Sequence, residues 1–276
     1  MAELNQINML AQKSASLRLA VLEMVAVAKK GHIGGAYSCI DILVALYYGG
    51  VLRFDPVNPS WPLRDRFILS KGHSGAALFA VLADLGYFDS AELTRYCCNG
   101  GILGGHPDRK VPGIEADTGS LGHGLGIGAG MALAAKMDGA EGRVFVLVGD
   151  GECNEGSVWE ALVFAARHRL SNLTLIIDRN RQCVLDFTEE CAPLDPLAER
   201  LAAFGWDVAE VDGHSFQELL STFEQKPSTR PRAIVANTIK GKGVSYMEKV
   251  LKWHHSVPNV EELAIARAEL TAKTQA

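Results

Sequence analysis

Val144-Phe145-Val146-Leu147-Val148-Gly149-Asp150-Gly151, followed about thirty residues later by Leu173-Thr174-Leu175-Ile176-Ile177 and then Asn180, is the stretch from which the fold can be read. Each apolar run is short and rich in branched residues, as expected of a strand buried on both faces of a parallel sheet. Asp150 and Asn180 each fall just past such a strand. Side chains there can converge outside the carboxyl edge of the sheet, where open α/β folds bind ligands. A carboxylate and an amide oxygen suit a small hard cation such as Mg2+, which completes its shell with phosphate and water oxygens. So sparse a protein set points to a bound diphosphate, and Gly151 lets the backbone come close to it.

Outward from that stretch, strands are expected at Arg66 to Leu69, Asp207 to Val211 and Ala233 to Ala236. Helical stretches are expected at 9–30, from Ser38 or Asp41 (as caps) through Tyr48, at 74–85, 131–137, 157–168, 196–204 and 215–224, with an exposed amphipathic tail at 259–270. The alternation predicts a three-layer α/β fold, an open and mainly parallel sheet with helices on both faces. No repeat, low-complexity tract or linker interrupts it, so residues 1–276 are expected to form a single domain.

The chain has 276 residues, with 27 basic and 32 acidic side chains and a net charge of -5. That balance offers no footprint for nucleic acid, so small molecules or proteins are the expected partners. Cysteines 39, 97, 98, 153, 183 and 191 make no CxxC pair or spaced metal quartet, which fits a reducing cytoplasm. The sequence shows no secretory signal pattern and no apolar run of about 18 residues, so a soluble cytosolic protein without membrane contact is expected.

Five of the eight histidines, His32, His73, His106, His123 and His214, directly follow glycine, which suits tight loops that present an imidazole to a cavity. Their order among the other motifs carries the resemblance. Lys30-Gly31-His32, Arg64-Asp65-Arg66-Phe67-Ile68-Leu69-Ser70-Lys71-Gly72-His73, Gly105-His106-Pro107, Thr118-Gly119-Ser120-Leu121-Gly122, Gly149-Asp150-Gly151-Glu152, Glu155-Gly156-Ser157-Val158-Trp159-Glu160-Ala161 and Asp212-Gly213-His214 occur in that sequence. From Lys30 to Pro258 the chain resembles the N-terminal, diphosphate-binding half of transketolase.

The resemblance implies the PP-type domain of the thiamine-diphosphate-binding fold, with thiamine diphosphate and Mg2+ as cofactors and Ca2+ or Mn2+ able to replace the metal. It assigns Asp150, Asn180 and the carbonyl of Gln182 to the metal. Lys71, His73, Gly119, Ser120, Leu121, Gly151, Glu152, Asn180, Lys240 and His254 are assigned to the cofactor. It places His32, His106 and one of His254 and His255 on sugar hydroxyls and protons, with Trp253 before it favouring His254. Neutral imidazole both donates and accepts, which suits cleavage beside a carbonyl.

Glu155 matches a family glutamate that links two cofactor sites across a subunit interface. A carboxylate favoured by the macrodipole at a helix N-terminus is an equal reading. Lys71 and Lys240 could instead be solvated charges, and the glycines of 119–122 could only let helices pack. His123 stands where the family has glutamine and is expected behind the site; His168 and His214 are expected to be structural or at the surface.

The activity implied is transfer of a two-carbon ketol unit from a ketose, or ketose phosphate, to an aldose acceptor. The chain ends about forty residues after Thr238, which leaves no room for a pyrimidine-binding domain. The expected enzyme is therefore a carbohydrate-metabolising transferase of two kinds of subunit, most simply a 2+2 heterotetramer with a C-terminal, pyrimidine-domain transketolase chain. Competing readings are the half of another thiamine-diphosphate enzyme, such as a deoxyxylulose phosphate synthase or a phosphoketolase, and a silent interaction subunit. A dehydrogenase is suggested by Gly124-x-Gly126-x-x-Ala129, but no strand precedes that match and no acidic residue follows where the fingerprint needs one.

Overall fold

The structure, a computed structural model, describes residues 2–225 and 228–275. Its centre is a sheet of β1 (Arg66–Leu69), β2 (Val144–Gly149), β3 (Leu173–Arg179), β4 (Asp207–Asp212) and β5 (Arg232–Asn237), in the order β1-β2-β3-β5-β4. All four pairings are parallel. Every strand therefore ends at the same edge, and the residues that follow β1, β2, β3 and β5 meet there. β3 runs on through Asp178 and Arg179, past its expected end at Ile177, because these two charged side chains are buried and paired at the edge.

Successive residues of a strand face opposite layers. Val144, Val146 and Val148 pack with Leu175, Ile177 and Val235 under α4 (His123–Met137), α5 (Gly156–Arg167) and α7 (Leu197–Ala203). Phe145, Leu147, Ile176 and Ile234 pack on the other side with α1 (Ala2–Ala28), α2 (Ile33–Tyr48), α3 (Gly75–Asp84) and α8 (Phe216–Glu224). The three-layer arrangement is the one the sequence predicts. A single-turn helix, α6 (Thr188–Cys191), follows β3.

Several boundaries differ from those read off the sequence. Helix α1 spans Ala2–Ala28 rather than 9–30: its first turns are mostly exposed, with Ile7 reaching the core, and its end is fixed by the left-handed Lys29 and Gly31. Ser38 and Asp41 are not caps, because α2 starts at Ile33 and both lie buried inside it. Ser38 Oγ donates to Asp178, and Asp41 accepts both terminal nitrogens of Arg18 at 2.9 and 2.6 Å. Helix α4 starts eight residues before the expected Met131. Gly124 and Gly126 sit inside it with no strand before them, which removes the dinucleotide fingerprint. A Cβ on Gly124 would strike Ser70, and one on Gly128 would strike Val146, so these glycines let α4 close on the sheet.

The tail forms α9 (Val260–Thr274), longer than the expected 259–270. Asn259 and Glu262 make a reciprocal capping box, which fixes its start. It packs along α1, burying Ala266 and Leu270 and pairing Arg267 with Glu23. Among the described residues no helix is long and apolar enough to cross a membrane.

Asp41 joins the α1–α2 pair to the far end of β4. Its Oδ2 lies 2.6 Å from His214 Nδ1, and His214 Nε2 accepts from the Ile239 N–H at 2.8 Å, so Nδ1 carries the ring proton. Burial alone would raise the Asp41 carboxyl, but Arg18 and His214 hold it well below the usual carboxylate range. Replacing Asp41 with Leu leaves the Arg18 guanidinium buried without its counter-charge, and a loss of about 3–5 kcal/mol is expected in urea unfolding. An unchanged midpoint would show that this pair is not a strut of the fold.

Candidate active site

Four strand ends build the site. Ser70 and Lys71 follow β1, Gly149 to Glu152 close β2, Asp178 to Gln182 end and follow β3, and Thr238 to Lys240 follow β5. Register places Gly149 beside Asp178, and Asp178 beside Ala236, so neighbouring strands deliver these groups side by side. The cleft between them is lined by Lys71, Asp150, Asn180, Lys240 and His254, with Leu121 and Val184 as apolar walls.

Asp178, fully buried, accepts from Lys71 Nζ, Ser38 Oγ, Thr238 Oγ1 and, at 3.2 Å, Asn180 Nδ2. Burial would raise its carboxyl, but the Lys71 ammonium outweighs burial and lowers it. For Lys71 burial pulls down and Asp178 pulls up, with a net rise, so the ammonium stays charged and is aimed by its bond to Gly35 O. Lys71 is 1% exposed and Lys240 2%, so neither is a solvated surface charge. Lys240 Nζ lies 3.1 Å from Gln182 O, 3.4 Å from Cys183 O and 2.8 Å from His254 Nδ1. Burial and then Lys71 bring its pKa down to about 8.

Asp150 is 1% exposed; Oδ1 accepts from Gly151 N, and Oδ2 from Arg181 N and Arg179 Nη1. Burial first, then Asp178, pushes its carboxyl up to about 6, because Arg179 is shared with Thr188, Glu189 and Asp195. Asn180 Oδ1 accepts from Gln182 N at 3.1 Å, which holds the loop so that the Gln182 carbonyl meets a cation, the Lys240 ammonium. Among the described residues no group of three or more His, Cys, Asp or Glu side chains is set to hold a metal. A metal here would rest on one carboxylate, one amide oxygen and one carbonyl. These are hard neutral and anionic oxygens beside two ammonium groups, a donor chemistry that fits Mg2+ together with a diphosphate.

Glu152 lines the cleft, but its carboxylate is turned to the frame. It accepts from Ser70 Oγ, Gly122 N at 2.9 Å and Gly149 N at 3.0 Å, tying the ends of β1 and β2 to the 119–122 loop. Burial raises its carboxyl. Gly119 (φ 144°) takes a conformation side chains avoid, and a Cβ there would stand 3.0 Å from the His106 ring. That glycine lets the loop lie against His106. Ser120 is exposed and Leu121 half-buried.

The histidines collect beside the cleft. The His32 ring centroid lies 5.4 Å from that of His73, 6.4 Å from His106, 5.5 Å from His254 and 4.6 Å from His255, and His73 stacks on His254 at 5.5 Å. Both members of the 254/255 pair thus reach His32, and it is His254 that faces Lys240 and the cleft. Gly34 explains the approach: a Cβ there would sit 2.6 Å from the Trp253 carbonyl, so the segment carrying these two rings folds directly onto the start of α2. Of the others, His123 is exposed at the start of α4, His168 is exposed against Phe164, and His214 is the bridge already described. Glu155 is exposed at the N-terminus of α5, against Gly122.

Sequence reasoning missed Asp178, Arg179, Ser38 and Thr238. The one available signal was Asp178-Arg179, a charged pair closing a run of buried apolar residues.

With this geometry in hand, comparison with known proteins gives a consistent answer. The family described as transketolase, thiamine diphosphate binding domain, matches residues 10–276. The chain is 44% identical over 273 residues to an apulose-4-phosphate transketolase subunit of Phocaeicola vulgatus, covering 98% of this chain and 96% of that one. It is 42% identical over 257 residues to the 6-deoxy-6-sulfo-D-fructose transketolase subunit SqwG of a Clostridium species, covering 92% and 93%. Against the transketolase of Homo sapiens it is 40% identical over 239 residues, which are 86% of this chain but 38% of that protein. The crystal structure of Campylobacter jejuni transketolase superposes with a TM-score of 0.89 at 32% identity, covering 95% of this chain and 43% of that one. The chain belongs to the transketolase family, the thiamine-diphosphate-dependent enzymes that transfer ketol units. Relatives named as transketolase subunits match it over nearly their full length, whereas it spans about two fifths of the single-chain transketolases.

Burial holds the imidazoles neutral. It is the first cause of the fall of His32 to about 4, with His255 and His106 next, and of His254 to about 3, with Lys240 next; His73 lies well below the ordinary 6.5. Between these values and 6.5 the unfolded chain binds more protons than the folded one. The stabilising contribution of the cluster is therefore complete above pH 6.5 and is lost as pH falls towards 4. Ring NMR of the free chain should show His32 and His254 still neutral at pH 5.5; midpoints near 6.5 would show that the cluster is not desolvated.

Proposed function

We propose that this chain is the diphosphate-binding subunit of a two-chain transketolase, moving a two-carbon ketol unit from a ketose donor to an aldose acceptor. The observation that carries the reading is the meeting of Asp150, Asn180 and the Gln182 carbonyl with two buried lysines on one side and a neutral imidazole cluster on the other. Asp150, Asn180 and Gln182 O would hold Mg2+, and Lys71, Lys240, His73 and Gly151 the diphosphate. Thiamine diphosphate bound there supplies the electron sink for breaking and remaking the bond next to the sugar carbonyl.

The chain's own part is positioning and proton handling. Lys71, fixed by Asp178 and Gly35 O, brings its positive charge to the phosphate side without reorganisation. Leu121 and Val184 supply the apolar part of the cleft lining. His32 and His254, held neutral by burial, and His106 beside them donate to and accept from sugar hydroxyls, and one of the three takes the hydroxyl proton released as the carbon–carbon bond breaks. His255, packed on His32, keeps the His32 ring desolvated and adds a further donor for the sugar.

A partner chain completes the enzyme in this reading. The outward faces of α4 and α5 expose Ile127, Val163 and Phe164, while Gly126 and Gly130 face open space, so a second chain could pack closely there. Glu155 stands on the same side, where it would meet the partner's cofactor site. The most economical assembly has two copies of each chain, the second kind supplying a pyrimidine-binding domain. The P. vulgatus and Clostridium relatives are named for apulose 4-phosphate and 6-deoxy-6-sulfo-D-fructose, and a ketose with an anionic end is the substrate class they suggest. A cytoplasmic location is supported by six free thiols.

Calorimetry of the assembled pair with thiamine diphosphate and Mg2+ should give binding that falls at least about a hundredfold in Asp150→Ala, with ketol transfer lost. His106→Ala should keep the cofactor but lower kcat/KM by about 10²–10⁴-fold. Unchanged transfer in His106→Ala would point to a silent subunit, and full transfer by this chain alone would overturn the two-chain reading.

A further inference from the structure

The segment after β3 carries a feature that ketol transfer does not use. Cys183 and Cys191, both free thiols, have their sulfurs 3.2 Å apart, with Cys191 exposed and Cys183 half-buried at the wall of the cleft. A tight turn sets this distance. Cys183 N donates to Asp186 O at 2.9 Å, Gln182 bridges Phe187, and Cys191 N reaches back to Phe187 O at 3.1 Å. The sulfurs stand about 1 Å outside disulfide bonding distance, a gap side-chain rotation and a small backbone shift can close.

What lies between the two cysteines is the clamp on the metal-side carboxylate. Thr188 and Glu189 of α6 accept from Arg179 at 2.8 and 2.5 Å, and Arg179 holds Asp150. The carbonyls of Gln182 and Cys183 accept from Lys240. A bond between the sulfurs would draw α6 towards the 182–183 carbonyls and disturb both sets of contacts at once.

We propose that Cys183 and Cys191 form a reversible dithiol–disulfide pair, closed by a hydroperoxide, that weakens cofactor and metal binding in the adjoining cleft; this rests on the thiamine-diphosphate reading of that cleft. One cysteine sulfur attacks an oxygen of hydrogen peroxide, the O–O bond breaks, and the thiol proton leaves with the second oxygen as water, giving a sulfenic acid. The sulfur of the other cysteine displaces the sulfenic hydroxyl, and its proton completes the second water. Both sulfurs are oxidised by one electron each, and the peroxide takes up the two.

The test treats the full chain, assembled with its partner chain, with stoichiometric hydrogen peroxide. Peptide mapping should find a 183–191 link and the loss of two hydrogens, reversed by dithiothreitol. The linked protein should bind thiamine diphosphate with Mg2+ about tenfold or more weakly, the size that disturbed outer contacts of a metal site carry. Cys191→Ser should keep basal transfer and lose the reversible response to peroxide. Peroxide that consumes other thiols without forming the link overturns the proposal, as does a linked protein that binds cofactor as tightly as the reduced one. The link is read without cofactor, so failure of the reduced protein to bind thiamine diphosphate would instead strike the reading of the cleft.

Discussion

Asp178 holds the ends of four elements in one place. Its carboxylate, closed off from water, gathers a lysine from the end of β1, a hydroxyl from α2, a hydroxyl from the end of β5 and the amide of Asn180 on its own loop. A buried charge of this kind is tolerated only when its partners are complete. Satisfying it therefore sets the mutual placement of Lys71, Asn180 and the Thr238–Lys240 segment. The functional edge of the sheet is built around a buried anion whose partners all come from the chain itself.

The site has two electrostatic regimes side by side. On one flank, Lys71 and Lys240 present positive charge to the cleft; on the other, the His32, His73 and His254 rings are kept uncharged by burial and by those same lysines. In the proposed function the lysines thus act twice, as anchors for the diphosphate and as a field that discourages protonation of His254. His106, further out and exposed, sits against Gly119 on the loop that Glu152 pins to the frame.

Much of this was legible in the sequence, and the rest was hidden for identifiable reasons. The strands announced themselves as runs of branched apolar residues, and Asp150 and Asn180 followed from their places after two of them. Three of the five glycine–histidine pairs, those of His32, His73 and His106, marked loops that converge, whereas His123 and His214 lie elsewhere. Ser38 and Asp41 were read as caps because small polar residues favour helix starts; their real partners lie 140 residues away at Asp178 and 23 away at Arg18, and no local pattern reveals such pairings. The resemblance set Glu152 among the cofactor contacts; it does line the cleft, and what the sequence did not reveal is that its carboxylate accepts from Ser70 and two backbone amides.

Gly34 places the Trp253–His255 segment by what it lacks: the Trp253 carbonyl occupies the space of a side chain. In the proposed function the sugar-facing rings are thereby mounted on connecting segments outside the strands, while the phosphate end is fixed by strand termini. Such a division lets sugar preference drift through changes in the connecting segments without loosening the grip on the coenzyme. A lineage of related enzymes could in this way explore new ketoses while its oldest chemistry stays fixed.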